Sequence, residues 1–157
     1  MPEAPAAPPA SPASAARPRT ALAFDYGRRK TGVAVGGEAS GGARALPPLQ
    51  QTGAGPDWAT IDRLVDEWAP DVLIVGIPRN MDGSPHAMTV AARAFAAALE
   101  KRYRRPVIGI DERLSTWEAR DHLRAARASG QRRRARRGEL DSMAARILLE
   151  DWLRQTT

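Results

Sequence analysis

Three carboxylates stand where runs of regular pattern end. Asp25 closes the apolar run Thr20-Ala-Leu-Ala-Phe, Glu112 follows Pro106-Val-Ile-Gly-Ile-Asp111, and Asp141 opens the last helical pattern. A carboxylate leaving a buried strand is costly unless it is paired or bound to a metal. Three of them around one dry pocket repel each other unless cations intervene. Two Mg²⁺ ions about 3.5–4 Å apart would neutralise them, activate water and stabilise the leaving oxygen in phosphodiester cleavage. Simpler roles exist for single members. Asp25 also fits an Asx-type bond to the turn before Gly27, and Asp141 also suits the dipole at a helix start. The chain has no cysteine, and His86 and His122 are its only imidazoles. A metal therefore rests on oxygen donors, which points to Mg²⁺ or Mn²⁺. No Ser–His–Asp or Cys–His set is available for covalent catalysis.

Cations surround these acids. Arg28, Arg29 and Lys30 follow Asp25 within five positions, Arg79 and Asn80 occupy a later turn, and Arg113 follows Glu112. The net charge is +6, but residues 101–137 alone carry +9, so the rest is about −3. Arg132, Arg133, Arg134, Arg136 and Arg137 form the densest part of that block. A basic block on a mildly acidic body is the footprint of phosphate-backbone binding. A solvated charge run is the plain alternative. Arg forks suit phosphate oxygens, although an Arg- and Ala-rich composition also follows from genome base bias.

The elements that must position these groups are legible in order. Thr20–Asp25 and Thr31–Gly36 read as two strands around a Gly-containing turn. Residues 43–51 give a third, restricted to a sheet edge by Pro47 and Pro48. Asp57 is an N-cap, and Trp58, Ile61, Leu64, Val65 and Trp68 recur at helical spacing until Pro70. Asp71–Ile77 is a near-continuous apolar run, as expected of a central parallel strand covered on both faces. The turn-rich segment Pro78–Ser84 follows at its carboxyl end, where open α/β folds place ligands.

Ser84 with Pro85 is expected to start a helix running to about Tyr103, buried through Met88, Ala91, Ala92, Phe95 and Leu99. His86 reads as a first-turn surface residue. A strand at 106–110 comes next. Ser115-Thr-Trp-Glu118 then reads as a capping box for a helix to about Ala128. Its Arg120, Arg124 and Arg127 share one face. Residues 129–138 read as a flexible basic loop. A final helix runs from about Glu139 to Arg154, with Leu140, Met143, Ala144, Ile147, Leu148 and Leu149 on its apolar side. The alternation predicts an α/β domain over residues 20–157, preceded by an Ala/Pro-rich tail, 1–19, that is expected to be disordered. No stretch has the roughly 18 apolar residues of a membrane span. The first residues lack the apolar segment of a secretory signal, and an intracellular protein without membrane contact is expected.

Four motifs in order resemble one family. Asp25-Tyr-Gly with Lys30-Thr-Gly-Val-Ala, Gly76-Ile-Pro-Arg-Asn-Met-Asp-Gly83, Asp111-Glu-Arg-Leu-Ser-Thr-Trp-Glu-Ala119 and Asp141-Ser-Met-Ala-Ala-Arg-Ile-Leu-Leu look like the YqgF or RuvX proteins. These are described as pre-16S rRNA nucleases and earlier as Holliday-junction resolvases. The match covers about residues 20–154. Lys30 and Ser115 depart mildly from the commonest pattern, keeping charge and hydroxyl.

The resemblance implies a ribonuclease-H-like fold: a mixed five-stranded sheet, three antiparallel strands then two parallel, with helices on both faces. It also implies a bacterial cytoplasmic enzyme that trims the 5′ end of precursor 16S rRNA. Asp25, Glu112 and Asp141 would be catalytic and metal-holding. Arg28, Lys30, Arg79, Asn80, Arg113 and the five arginines of 132–137 would bind nucleic acid, with pre-rRNA ahead of branched DNA and the ribosome as a further partner. The chain would act as a monomer or a homodimer. Three rival readings are a branched-DNA resolvase, a non-catalytic RNA-binding assembly factor, and a phosphoryl-transfer enzyme of the actin and sugar-kinase type. The last is suggested by Asp-x-Gly-x-x-x-Thr-Gly, but needs two such domains, for which the chain is too short.

Overall fold

The computed structural model describes residues 17–112 and 141–156. Arg113, the helix expected from Ser115, the basic loop expected over 129–138 and Leu140 lie outside the described residues, as does nearly all of the 1–19 segment. Five strands form one sheet: β1 (Thr20–Asp25), β2 (Lys30–Gly37), β3 (Gly42–Gln50), β4 (Val72–Ile77) and β5 (Val107–Asp111). Their order is β3-β2-β1-β4-β5. The pairs β1–β2 and β2–β3 are antiparallel, whereas β1–β4 and β4–β5 are parallel. This is the ribonuclease-H-like order. Pro47 and Pro48 lie in the edge strand opposite the register shift between Thr31 and Val33, the setting in which prolines are tolerated in a sheet.

Helices α1 (Trp58–Trp68), α2 (Ala87–Tyr103) and α3 (Met143–Thr156) cover the sheet. Side chains alternate across a strand, so each strand supplies two different cores. Leu22, Phe24, Val33, Val35, Leu73 and Val75 face α1 and α2, meeting Ile61, Val65, Phe95 and Leu99. Ala21, Ala23, Ala34, Val72 and Ile74 face α3, meeting Ala145, Leu148, Leu149, Trp152 and Leu153. Fully burying each large side chain contributes about 1.5–3 kcal/mol.

Asp57 caps α1 through its carboxylate, which accepts from the Thr60 N–H at 3.2 Å and the Thr60 hydroxyl at 2.7 Å. Helix α2 starts two residues later than Ser84-Pro85 suggested. His86 is the N-cap: its Nδ1 accepts from the Met88 N–H, while Thr89 Oγ1 accepts from the His86 N–H. Ser84 is instead drawn into a turn with Asp82. Ala92, Phe95 and Leu99 are buried as expected, and Thr89 joins them in place of Met88 and Ala91. On α3 the buried stripe is Ala145, Leu148, Leu149, Trp152 and Leu153. Leu148 and Leu149 match the expectation, but Met143, Ala144 and Ile147 are half-buried beside them. Trp152, the largest apolar side chain of that segment, sets the rotation.

Ahead of β1, Arg17 donates to Asp71 at 2.7 Å and Arg19 to Glu38 at 3.0 Å. The Arg19 side chain holds the Glu38 carboxyl below its usual range.

Candidate active site

Strand β1 carries Ala21, Ala23 and Asp25 on one side, and both alanines pack under α3. Alternation therefore turns Asp25 toward the α3 side of the sheet. Asp25 pairs across the ladder with Gly32. A Cβ on Gly32 would lie 2.7 Å from the Asp141 carbonyl oxygen and 3.1 Å from Ser142 Cα. Only a glycine lets the chain entering α3 approach β2 this closely. The backbone of Asp141 thus lies over the strand pair that ends at Asp25.

The partner that fixes this approach is Ser142, which the sequence reading passed over. Its hydroxyl is buried, accepts from the Val33 N–H at 2.9 Å and donates to the Leu46 carbonyl at 2.6 Å. Both bonds fall where the β2–β3 register shifts between Thr31 and Val33. A bulge leaves ladder groups unpaired, and Ser142 supplies partners for them. The one hydroxyl therefore ties α3 to two strands and positions its neighbour Asp141.

On β4, Ile74 packs under α3, so Gly76 faces the same way. A Cβ there would come within 2.7 Å of Glu112 Oε2 and of Leu148 Cδ1. The Glu112 carboxylate therefore folds over the strand at Gly76. The parallel register pairs Phe24 with Val75, so Asp25 and Gly76 are the next residues along the two strands. Asp25 and Glu112 consequently reach the same side of the sheet at adjacent strand ends. Asp111, next to Glu112, alternates to the other face and meets Arg79 Nε at 3.7 Å.

Asp141 is engaged differently. Its Oδ2 accepts from Lys30 Nζ at 3.1 Å in a half-exposed pair. Among the described residues, no three His, Cys, Asp or Glu side chains converge closely enough to hold a metal ion. The fold brings Asp25 and Glu112 to one face and sets Asp141 beside them, held by Lys30. The donors are all carboxylate oxygens, as Mg²⁺ or Mn²⁺ prefer, but as they stand they do not form one coordination shell.

The expected substrate residues separate in the same way. Arg28 Nε approaches the Met88 sulfur at 3.5 Å, at the start of α2. Lys30 is committed to Asp141. Arg79 spans from Asp111 to the Gly83 carbonyl, which it reaches at 3.4 Å. Asn80 closes its own loop by donating to Ser84 Oγ at 2.9 Å. Arg113, Arg132, Arg133, Arg134, Arg136 and Arg137 lie outside the described residues. The sequence signal for these close contacts lies in glycines inside strands, Gly32 and Gly76, which mark close backbone approach.

A family model described as "RuvX: Holliday junction resolvase" matches residues 19–155. The chain belongs to the RuvX family. A relative from Azotobacter vinelandii is 47% identical over 136 residues, 87% of this chain and 94% of that protein. One from Pseudomonas putida is 45% identical over 139 residues, 88% and 97% of the two chains. Both are named "Putative pre-16S rRNA nuclease". Among solved structures, the chain resembles Thermus thermophilus RuvC in complex with a Holliday junction substrate. The TM-score is 0.53 at 15% identity, over 88% of this chain and 97% of that one. That likeness shows the fold. The RuvX match spans all four motifs and all three carboxylates. No helix among the described residues is long and apolar enough to cross a membrane.

Proposed function

We propose that this chain is a nuclease that hydrolyses phosphodiester bonds in 5′-end maturation of precursor 16S rRNA. Asp25, Glu112 and Asp141 are its acidic site, and the arginines of residues 132–137 grip the phosphate backbone. The observation that carries the reading is the arrival of Asp25 and Glu112 on one side of the sheet at Gly76, in a chain that aligns with 94% of a relative named as a pre-16S rRNA nuclease. It acts in the bacterial cytoplasm, residues 20–157 forming its single domain.

The cofactor is Mg²⁺ or Mn²⁺, with Asp25 and Glu112 as the first ligands and Asp141 as the third. Such an ion supplies a nucleophilic water and charge stabilisation at phosphorus. The chain's own residues do the rest. Lys30 neutralises Asp141 and so relieves repulsion among the three carboxylates. Arg79, anchored on Asp111, stiffens the loop beside the strand ends. The cations around the site draw in a polyanion.

A second reading, cleavage of a four-way DNA junction, is favoured by the wording of the family model and by the RuvC likeness in fold. The deciding experiment offers a labelled precursor 16S 5′-end fragment and a labelled four-way junction to wild type and Asp25→Asn, in Mg²⁺, Mn²⁺ and EDTA. Cleavage of the rRNA fragment that needs metal and is lost in the variant is expected. Cleavage of the junction alone would move the assignment to branched DNA. Binding without cleavage of either would make the chain an RNA-binding assembly factor.

A further inference from the structure

Met81 is 82% exposed, the most exposed large apolar side chain among the described residues. It is presented by a stiff loop. The Asn80 N–H donates to the Ser84 carbonyl at 2.9 Å and the Gly83 N–H to the Asn80 carbonyl at 2.8 Å. Asp82 Oδ1 accepts from both the N–H and the hydroxyl of Ser84, at 2.9 and 2.6 Å. The loop's base is fixed as well: Thr89 Oγ1 donates to the Pro78 carbonyl, and Arg79 meets Asp111. The tip therefore loses little freedom on contact. A single exposed apolar side chain is ordinary on a protein surface. This one stands five residues beyond Gly76, where the Glu112 carboxylate lies, and two beyond Arg79.

We infer that Met81 is a base-contacting residue: its thioether packs against, or wedges beside, a nucleobase flanking the phosphate that the acidic site attacks. The inference rests on the nuclease reading. Lys30 and Arg79, cations near the site, are tied to protein partners, whereas an exposed apolar side chain can stack on or wedge beside a base. A methionine, unbranched and polarisable, adapts to any base face, which suits a strand gripped mainly through its backbone. The ligand class is thus a single-stranded or locally unstacked polynucleotide.

The test uses the full-length protein carrying Asp25→Asn to prevent cleavage, with and without Met81→Ala or Met81→Phe. Binding to a single-stranded RNA of mixed sequence is titrated across salt concentrations, then repeated with an abasic nucleotide walked along the strand. Met81→Ala is expected to weaken binding about 5-fold or more, with the slope against salt unchanged because phosphate contacts set that slope. Met81→Phe should retain affinity. The alanine penalty should vanish at one or two abasic positions. Wild-type binding with no alanine penalty, or a penalty indifferent to every abasic position, overturns the base contact and leaves the nuclease reading intact. Absence of any nucleic-acid binding by the parent overturns both. Met81→Ala should melt with its parent, so a weakened fold will not mimic the effect.

Discussion

The two faces of the sheet are built from the same strands by opposite rules. Toward α1 and α2 the strands present Leu22, Phe24, Val33, Val35, Leu73 and Val75. Phe24 meets Phe95 edge-on at 5.6 Å, and Tyr26 stacks on Phe95 at 4.8 Å. Toward α3, β1 and β2 present Ala21, Ala23 and Ala34, beside Val72 and Ile74 of β4, with Gly32 and Gly76 near the site. Large side chains hold their helices through volume. Small ones let the start of α3 and the Glu112 carboxylate lie almost on the backbone. One face secures the fold, and the other gives up bulk so that acids can crowd the strand ends.

This division predicts that the two faces break differently. Asp25→Asn should lose more than about 100-fold in cleavage, beyond what removing an outer partner of a metal ligand costs, with the unfolding midpoint nearly unchanged. Phe95→Ala should cost about 3–5 kcal/mol of stability through the cavity it leaves, with cleavage per folded molecule close to wild type. Urea titration beside single-turnover cleavage separates the two. Equal damage to both quantities in both variants would mean that the faces are not independent.

Gly76→Ala sharpens the contrast with a single carbon. The added Cβ falls 2.7 Å from Glu112 Oε2 and from Leu148 Cδ1, so the carboxylate and the leucine both have to move. Overpacking of this kind costs about 1–3 kcal/mol. Displacement of Glu112 should lower cleavage by about 10- to 100-fold, the range for misplaced support of a metal site. An alanine variant as active as wild type would show that Glu112 does not work from its place over β4.

Ser142→Ala is expected to act through position. It removes the acceptor for the buried Val33 N–H and the donor to the Leu46 carbonyl. A buried group left unsatisfied costs about 1–3 kcal/mol. Cleavage should fall with kcat rather than KM, because Asp141 is shifted while Arg28 and Arg79, proposed to bind substrate, keep their own contacts. Loss of stability with kcat preserved would restrict Ser142 to an architectural role.

The sequence was informative wherever one residue type has one strong reason to be where it is. The apolar run to Ile77, the double proline of the edge strand and the Asp57 cap all follow from local chemistry, and the structure repeats them. Asp25 and Glu112 were legible as strand-end acids, and alternation explains why Glu112 rather than Asp111 faces α3. What local pattern did not reveal depended on distant partners. The hydroxyl of Ser142 reads as an ordinary early-helix residue until Val33 and Leu46 arrive beside it from 109 and 96 positions away. Ser84 and His86 compete for one helix start, and the turn with Asp82 decides between them. The pairing of Lys30 with Asp141 is invisible in sequence because the two stand 111 residues apart.

The smallest effect belongs to the face that secures the fold. Asp62 on α1 accepts from Arg102 at 2.8 and 2.9 Å and from the Tyr103 hydroxyl at 2.5 Å, joining α1 to α2. Arg102, then Tyr103, pull the Asp62 carboxyl down to about 2 from an ordinary 3.8. A carboxyl whose pKa is lower folded than unfolded adds stability above the unfolded value and loses it as pH falls through the folded one. The contribution should therefore be complete above about pH 5, fall steeply as pH drops through about 2, and be gone only near about pH 1. Because the pair is nearly half exposed, water screens it and the gain stays under about 1 kcal/mol. Asp62→Asn should lower the melting point slightly at pH 7 and lose most of that difference by pH 2, with cleavage at pH 7 unaffected. A difference as large at pH 2 as at pH 7 would assign the effect to packing of the side chain instead of its charge.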